Sequence, residues 1–390
     1  MTSRLHVLIL AGGAGRRLWP WSRPGQRKPE LPLAGVKTPL EESIETALTL
    51  VPPERMHLVA AEGYISQPGP CQIVSEPRGR NTLPAVAMGV RKILAEDPGS
   101  VALVLPADHH IVDRDLYRAG LHSTCLALLK DPDQFWIHGT EADPDPAFGC
   151  VICEEDRLIR FVEKPDVDEC SMMTEAIEGS GLNQRAYRHC GIFGFGAQFL
   201  IDSLNERDGS IPDSLPELSL DHYLLSDRDF FDHLRFRPLK HRWSDLGNWK
   251  TIRRFRLHAG AFGTELRIHW PGAADIPMYP GGAPVVCGGM TPEVEGTISK
   301  RLVSIGMPKY KVIQIENGYR IEGVESVKAP SPATILFNST SDSLEIDGIG
   351  GGLVACMTDL LVICSEEALG DGSLQSASGI LDTEMSGQAS

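Results

Sequence analysis

Residues 7–10 and 100–105 are continuous apolar runs, the pattern of strands buried on both faces of a sheet. Residues 56–61, 72–75 and 134–138 read as further short strands. Between these runs the apolar positions fall at helical spacing. Residues 39–50 open on Thr38-Pro39-Leu40-Glu41, a capping box with proline in the first turn, and set Leu40, Ile44, Ala47 and Leu48 on one face. Thr82 stands where it would cap a helix over 82–94, and the spacing predicts another over 115–129. Strands alternating with helices predict an α/β fold, a parallel sheet with helices on both faces. Residues 148–153 and 158–162 read as two strands around a turn at 154–156. A polar helical stretch over 167–188, a strand over 191–195, a weak helix over 216–225 and a strand over 234–238 follow. The turn Trp243-Ser244-Asp245-Leu246-Gly247 then precedes a helix at 248–257.

Past residue 260 the texture changes. Proline and glycine crowd residues 271–290, helical periodicity fades, and short β-rich runs recur at 311–315, 333–337, 353–356 and 360–363. The expected organisation is an α/β domain over 1–260, a small all-β, β-helix-like domain over 261–366 and a disordered Gly/Ser-rich tail over 367–390.

The first strand runs into Ala11-Gly12-Gly13-Ala14-Gly15, a loop almost without side chains, followed by Arg16, Arg17 and, further on, Lys28. Bare backbone N–H groups at a strand's carboxyl end let polyphosphate approach closely, and the bases beyond can neutralise its charge. No Lys-Ser/Thr pair follows, so the loop is not a P-loop. Leu18 stands where a dinucleotide fingerprint needs its third glycine. The same glycines would also serve a tight turn with no ligand, and the loop alone leaves both readings open.

Charge narrows the partners. The 390-residue chain carries a formal net charge of −15, which argues against nucleic acid or an anionic membrane and leaves room for a small anion held where bases cluster. No run approaches the roughly 20 apolar residues that span a membrane, and residues 5–10 are too short for a signal-peptide core, so a cytoplasmic location is expected. The nine cysteines are scattered, which suits a reducing compartment, and Cys150-x-x-Cys153 reads as a packed pair on a strand.

Candidate chemistry gathers at strand ends. Asp108 follows a buried strand, Glu163 and Lys164 follow another, and Asp245 precedes a helix. Taken singly, Asp245 reads first as an N-cap, Glu163 with Lys164 as a surface ion pair, and His109 and His110 as structural residues; Asp108 with those histidines could also be a His/Asp metal cluster. Together, two acids, several bases and a glycine loop on one rim suit phosphoryl or nucleotidyl transfer, with Asp108 as a Mg²⁺ ligand.

The run Leu8-Ile9-Leu10-Ala11-Gly12-Gly13-Ala14-Gly15-Arg16-Arg17-Leu18-Trp19-Pro20-Trp21-Ser22-Arg23 resembles the signature of sugar-1-phosphate nucleotidylyltransferases, and its Leu-Trp-Pro-x-Ser-Arg ending resembles the mannose-1-phosphate guanylyltransferase branch. Glu76-Pro-Arg-Gly-Arg-Asn-Thr82, Leu105-Pro-Ala-Asp-His109, Phe161-Val-Glu-Lys-Pro165 and Ser244-Asp-Leu-Gly-Asn-Trp249 follow in the family's order, over about residues 5–257. The resemblance implies a Rossmann-like α/β fold with a mixed, mostly parallel sheet of the nucleotide-diphospho-sugar transferase type. It implies that Leu10, Ala11, Gly12, Gly13 and Gly15 wrap GTP, and that Glu76, Arg80, Asn81 and Thr82 meet guanine. Arg17 and Lys28 would neutralise the triphosphate, and Asp108 and Asp245 would hold Mg²⁺. Gly149, Glu163 and Lys164 would hold a hexose 1-phosphate, with Lys164 also serving catalysis. The partners implied are GTP and the sugar phosphate, with a homodimer as the assembly to test.

The chain departs from the family where Arg16 replaces a usual Thr, where Arg27-Lys28-Pro29-Glu30-Leu31 replaces Pro-Lys-Gln-Phe-Leu, and where His189-Cys190-Gly191 replaces Asn-Ser-Gly. In the family that asparagine contacts sugar hydroxyls, so the same chemistry on another sugar 1-phosphate stands as an alternative. A non-catalytic nucleotide-sugar-binding paralogue is a third reading, against which the retention of Lys28, Asp108, Lys164 and Asp245 counts.

Overall fold

The structure is a computed structural model and describes residues 4–13, 15–22, 26–34, 37–77, 79–154, 157–208, 215–225, 229–258, 266–269, 285–287, 293–295, 301–305, 310–315, 318–323, 334–338, 343–347, 352–356, 360–365 and 369. Ala14, Arg23, Arg78, the turn residues 155–156 and the tail from 370 onward lie outside the described residues. Two compact units divide the chain, Met1–Gly13 with Lys37–Asp245, and Ala14–Val36 with Leu246–Ser390.

The first unit is built on a nine-stranded sheet. β1 (Leu5–Leu10), β2 (Met56–Ala61), β3 (Gln72–Glu76) and β4 (Val101–Pro106) lie in the order β4-β1-β2-β3, all parallel. Beyond β5 (His110–Ile111), β6 (Phe135–Glu141) and the pair β7 (Cys150–Glu154) and β8 (Arg157–Val162) comes the long β9 (Gln184–Gly196). β9 runs antiparallel between β4 and β6, while β10 (Leu234–Pro238) adds to β6 in parallel. The main path thus has one reversed strand: the sheet is mixed and mostly parallel, as the family resemblance implies, while the alternation of strands and helices predicts only its parallel part.

Alternation within the strands explains the apolar runs. Val7, Ile9, Leu103 and Leu105 pack on one side with Leu40, Ile44 and Ala47 of α1 (Pro39–Leu48). Tyr117, Leu121 and Leu128 of the helix over Arg114–Lys130 join them. Leu8, Val59, Ala102 and Val104 pack on the other side with Leu83, Val86, Val90 and Ile93 of α2 (Thr82–Glu96). The helix over Arg114–Lys130 is α3. α4 (Val167–Gly179), α5 (Ala197–Asp208) and α6 (Leu220–Leu225) complete the unit. Burial on both faces is why neither side of β1 or β4 carries a polar stripe.

Local signals behaved unequally. The capping box forms, with Glu41 N donating to Thr38 Oγ1 at 3.2 Å and Thr38 N donating to Glu41 Oε2 at 2.7 Å. At α2 the cap is Asn81, whose Oδ1 accepts from Thr82 N at 2.8 Å; the Thr82 hydroxyl accepts instead from Leu220 N of α6. The helix expected over 167–188 stops at Gly179, Gly181 takes the left-handed conformation, and Gln184 to Arg188 pair with β7 as the first part of β9. Cys150 and Cys153 are both buried, but in different apolar clusters, as packed strand residues.

In the second unit, α7 (Trp249–His258) is followed by short strands in a six-stranded and a four-stranded sheet. Most pairings are parallel, such as Arg301–Ile305 on Leu360–Cys364 and Thr334–Asn338 on Gly352–Cys356. Among the described residues of this unit after α7, no helix lies between these strands. Also in this unit, Trp19 and Trp21 are fully buried, Trp21 stacks on Trp249 at 5.9 Å, and Trp249 Nε1 donates to the Trp19 carbonyl at 3.0 Å.

Candidate active site

In an α/β sheet the carboxyl ends of parallel strands carry the ligand. β1, its parallel neighbour β4 and β3, which is parallel beyond β2, put the glycine loop, Asp108 and Glu76 on the same rim. The loop is tied there: Ala11 N donates to the Val59 carbonyl at 2.9 Å, and Ala107 N donates to the Leu10 carbonyl at 3.0 Å. The Tyr64 hydroxyl donates to the Gly13 carbonyl. Sequence reasoning missed Tyr64, although an aromatic residue beside Gly63 just past β2 was a usable signal. Gly13 needs its glycine for a φ of +89°. Gly12 does not: its φ lies outside the left-handed region, and a Cβ there would meet nothing within 4 Å among the described residues.

Glu76 ends β3, is buried, and has its carboxyl pushed above the usual range by that burial, opposed by the nearby Arg80. Beyond it Asn81 holds φ +87° and ψ 176°, a region that is almost exclusively glycine's.

The two candidate metal carboxylates are joined by a device that no local pattern announces. β11 (Trp243–Ser244) pairs antiparallel with β5, Trp243 opposite Ile111 and Ser244 opposite His110. Asp245 follows the last paired residue on one strand, and His109 and Asp108 precede the first on the other. Trp243 stiffens this ribbon: it stacks on His109 at 4.4 Å, meets the edge of Phe148 at 5.6 Å, and donates from Nε1 to Thr140 Oγ1 at 2.9 Å. At the far end the Arg242 guanidinium and backbone N all donate to Asp113, whose carboxyl is held down at about 2 chiefly by those hydrogen bonds. The α7 cap falls to Asn248, whose Oδ1 accepts from Thr251 N at 2.9 Å. The helix therefore does not need Asp245 for that task.

His110 Nδ1 lies 2.9 Å from buried Glu42, and His109, stacked on Trp243, has its Nε2 3.9 Å from Asp108 Oδ1. Among the described residues no three His, Cys, Asp or Glu side chains gather to hold a metal. A cation at Asp108 and Asp245 would take its remaining ligands from phosphate oxygens and water, the mixture Mg²⁺ prefers, and the donor set fits it.

A third group assembles around β8 and β9. A Cβ on Gly149 would come within 2.8 Å of Glu163 Oε2 and 3.1 Å of the Phe161 ring, so only glycine leaves Glu163 its place. Gly149 is held by its carbonyl, which accepts from His189 N at 2.8 Å. Lys164 Nζ pairs with Glu163 at 3.0 Å and is mostly exposed, with a left-handed φ of +45°. The buried His189 ring bonds through Nδ1 to the His138 carbonyl at 3.0 Å and leaves Nε2 3.8 Å from buried Asp221.

Gly15, Arg17 and Lys28 belong to the second unit. Gly15, at φ +63°, lies so close to Ser22 that a Cβ would sit 2.4 Å from the serine Oγ. Lys28 is buried at the start of a short 3-10 turn, and Arg17 is exposed in another.

A family model described as nucleotidyl transferase matches residues 6–259. The chain is 28% identical over 286 residues to the alginate biosynthesis protein AlgA of Pseudomonas putida, covering 63% of this chain and 56% of that one. It is 26% identical over 298 residues to mannose-1-phosphate guanylyltransferase of Escherichia coli, covering 66% of this chain and 60% of that one. The chain thus spans little more than half the length of these curated relatives. A solved structure described as mannose-1-phosphate geranyltransferase from Thermus thermophilus shares the fold, with a TM-score of 0.56 at 24% identity over 82% of this chain and 94% of that one.

Proposed function

The chain belongs to the nucleotidyl transferase family, and we propose that it transfers a guanylyl group from GTP to mannose 1-phosphate, giving GDP-mannose and pyrophosphate. The observation that carries this reading is the β5–β11 ribbon, which gathers two carboxylates distant in sequence beside a glycine loop. A lone carboxylate at a strand end has many uses; two near a glycine loop suit a metal-assisted transfer at the α-phosphate.

In this reading a phosphate oxygen of the sugar phosphate attacks the α-phosphorus in line. The new P–O bond forms as the bond from the α-phosphorus to the bridging oxygen breaks, and pyrophosphate leaves with that electron pair. Mg²⁺, held by Asp108 and Asp245, would supply charge at the α-phosphate. Arg17 and Lys28 would neutralise the triphosphate and the departing pyrophosphate. Leu10 and Ala11 would line the nucleotide, and the backbone N–H groups of Gly12 and Gly13 would follow its phosphates, with Gly12 leaving the space bare. Buried Glu76 would accept from two guanine N–H groups, with Arg80, Asn81 and Thr82 forming the rest of that loop. Lys164 would hold the sugar phosphate, and Glu163 and Gly149 the hexose. Catalysis would be positioning and charge neutralisation, with no covalent intermediate.

One observation favours a second reading, another sugar 1-phosphate. His189 fills the place of the family's asparagine, and its Nε2 faces Asp221. Incubating the protein with Mg²⁺, each of the four nucleoside triphosphates and a panel of sugar 1-phosphates, and measuring pyrophosphate, decides. Release with GTP and mannose 1-phosphate is the expected result. Release with GTP and only another sugar selects the second reading, and none from any pair overturns both.

A further inference from the structure

We propose that Glu42 and Ser43, adjacent on α1, are positioning residues that fix Asp108 against Asp245 and so set the affinity of that pair for a divalent cation. The proposal rests on the reading of these two carboxylates as metal ligands. Ser43 Oγ donates to the Pro106 carbonyl at 2.9 Å, and Glu42 Oε2 lies 2.9 Å from His110 Nδ1. Pro106 and His110 stand two residues before and two residues after Asp108, so one turn of helix grips the Asp108 segment on both sides. His110 is also the ribbon residue opposite Ser244, so the grip extends to the chain entering Asp245.

A buried carboxylate is costly unless paired. Glu42 is only 7% exposed; Arg114 Nη2 donates to its Oε1, and its Oε2 lies against His110 Nδ1 without an aligned hydrogen bond. Arg114 opens α3, directly after the ribbon strand β5 and the Asp113–Arg242 fork. One acidic side chain therefore ties α1, the ribbon and α3 together around Asp108. A neutral carboxamide of the same shape would offer an N–H where a cationic or N–H partner now sits, and would loosen the grip without emptying the space.

The test is Mn²⁺ binding to the full-length protein, read from the electron paramagnetic resonance signal of the free ion, for the natural chain, Glu42→Gln, Ser43→Ala and Asp108→Asn. Thermal melting is followed alongside. Glu42→Gln is expected to weaken Mn²⁺ binding about tenfold, in the range typical for residues that orient metal ligands, and Ser43→Ala to weaken it less. The Mg²⁺ concentration for half-maximal pyrophosphate release should rise by the same factor, with the nucleotide KM at saturating Mg²⁺ unchanged. Variants that melt earlier but bind Mn²⁺ like the natural chain would reduce Glu42 and Ser43 to packing and overturn the proposal. If Glu42→Gln does not fold, Ser43→Ala decides alone. Unchanged Mn²⁺ binding in Asp108→Asn would remove the metal reading itself and this proposal with it; loss there, with Glu42→Gln unaffected, overturns this proposal alone.

Discussion

Neither packing nor a left-handed backbone requires Gly12, since a side chain would meet no described neighbour and its φ lies outside the left-handed region. A glycine with no structural reason, next to one that has a reason, points to something outside the chain that must approach closely. Gly12→Ala should therefore keep or slightly gain stability, by up to about 1 kcal/mol, while raising the KM for the nucleotide by about tenfold, the equivalent of roughly 1.4 kcal/mol of binding. Urea unfolding and steady-state kinetics read the two effects separately; a stability loss with unchanged KM would return Gly12 to a turn residue. Strain points the same way. Among the described residues, three that are not glycine hold a positive φ: Asn81, Lys164 and Leu246. Two are candidate ligand contacts and the third follows Asp245. Such backbone costs on the order of 1–3 kcal/mol each and persists where its surroundings over-determine it.

At the scale of elements, the strand pair β1–β2 carries a buried pair of histidines. His6 and His57 share a hydrogen bond at 3.0 Å, with Asp97 at 3.3 Å from the other His6 nitrogen. Burial drives the His57 pKa down to about 4, with His6 adding to the effect, and the same desolvation lowers His138 to about 3 and His241 to about 4. Unfolding exposes these rings to their ordinary value near 6.5, so in the window between the unfolded and folded values the unfolded chain binds more protons. Their contribution is complete above pH about 6.5 and is lost as pH falls towards 4. The urea midpoint should accordingly drop between about pH 7 and about pH 4.5, and less steeply in His57→Gln; a flat midpoint across that range contradicts the burial.

In the second unit, α7 is anchored on the tryptophans of the motif that follows the glycine loop, through Trp249. Trp249→Ala should cost about 3–5 kcal/mol by urea unfolding, and a cost below about 1 kcal/mol would mean that the contact is loose.

What the sequence made legible was local or periodic. The Thr38–Glu41 box, the faces of α1 and the apolar strands β1 and β4 depend on neighbours a few residues away or on a repeated period. The β5–β11 ribbon was hidden because two-residue strands have no period, and each exists only through a partner far along the chain. The Asn81 cap was misplaced by one residue because a backbone that only glycine normally adopts cannot be anticipated at an asparagine. The first part of β9 was hidden for a third reason: its polar residues match a helix surface as well as a strand that is paired on both edges.

At the scale of the molecule, the candidate groups divide between the units: the glycine loop to Gly13, Asp108, Asp245, Glu163 and Lys164 in the first, and Gly15, Arg17 and Lys28 in the second. In the proposed reaction the two carboxylates at the ribbon serve the transfer of a nucleotidyl group. Pyrophosphate release from GTP and mannose 1-phosphate, measured side by side for the natural chain, Asp108→Asn and Asp245→Asn at one Mg²⁺ concentration, tests it most directly. The natural chain should turn over, and each folded variant should lose about a hundredfold or more; turnover that survives both substitutions would remove the carboxylates from the reaction.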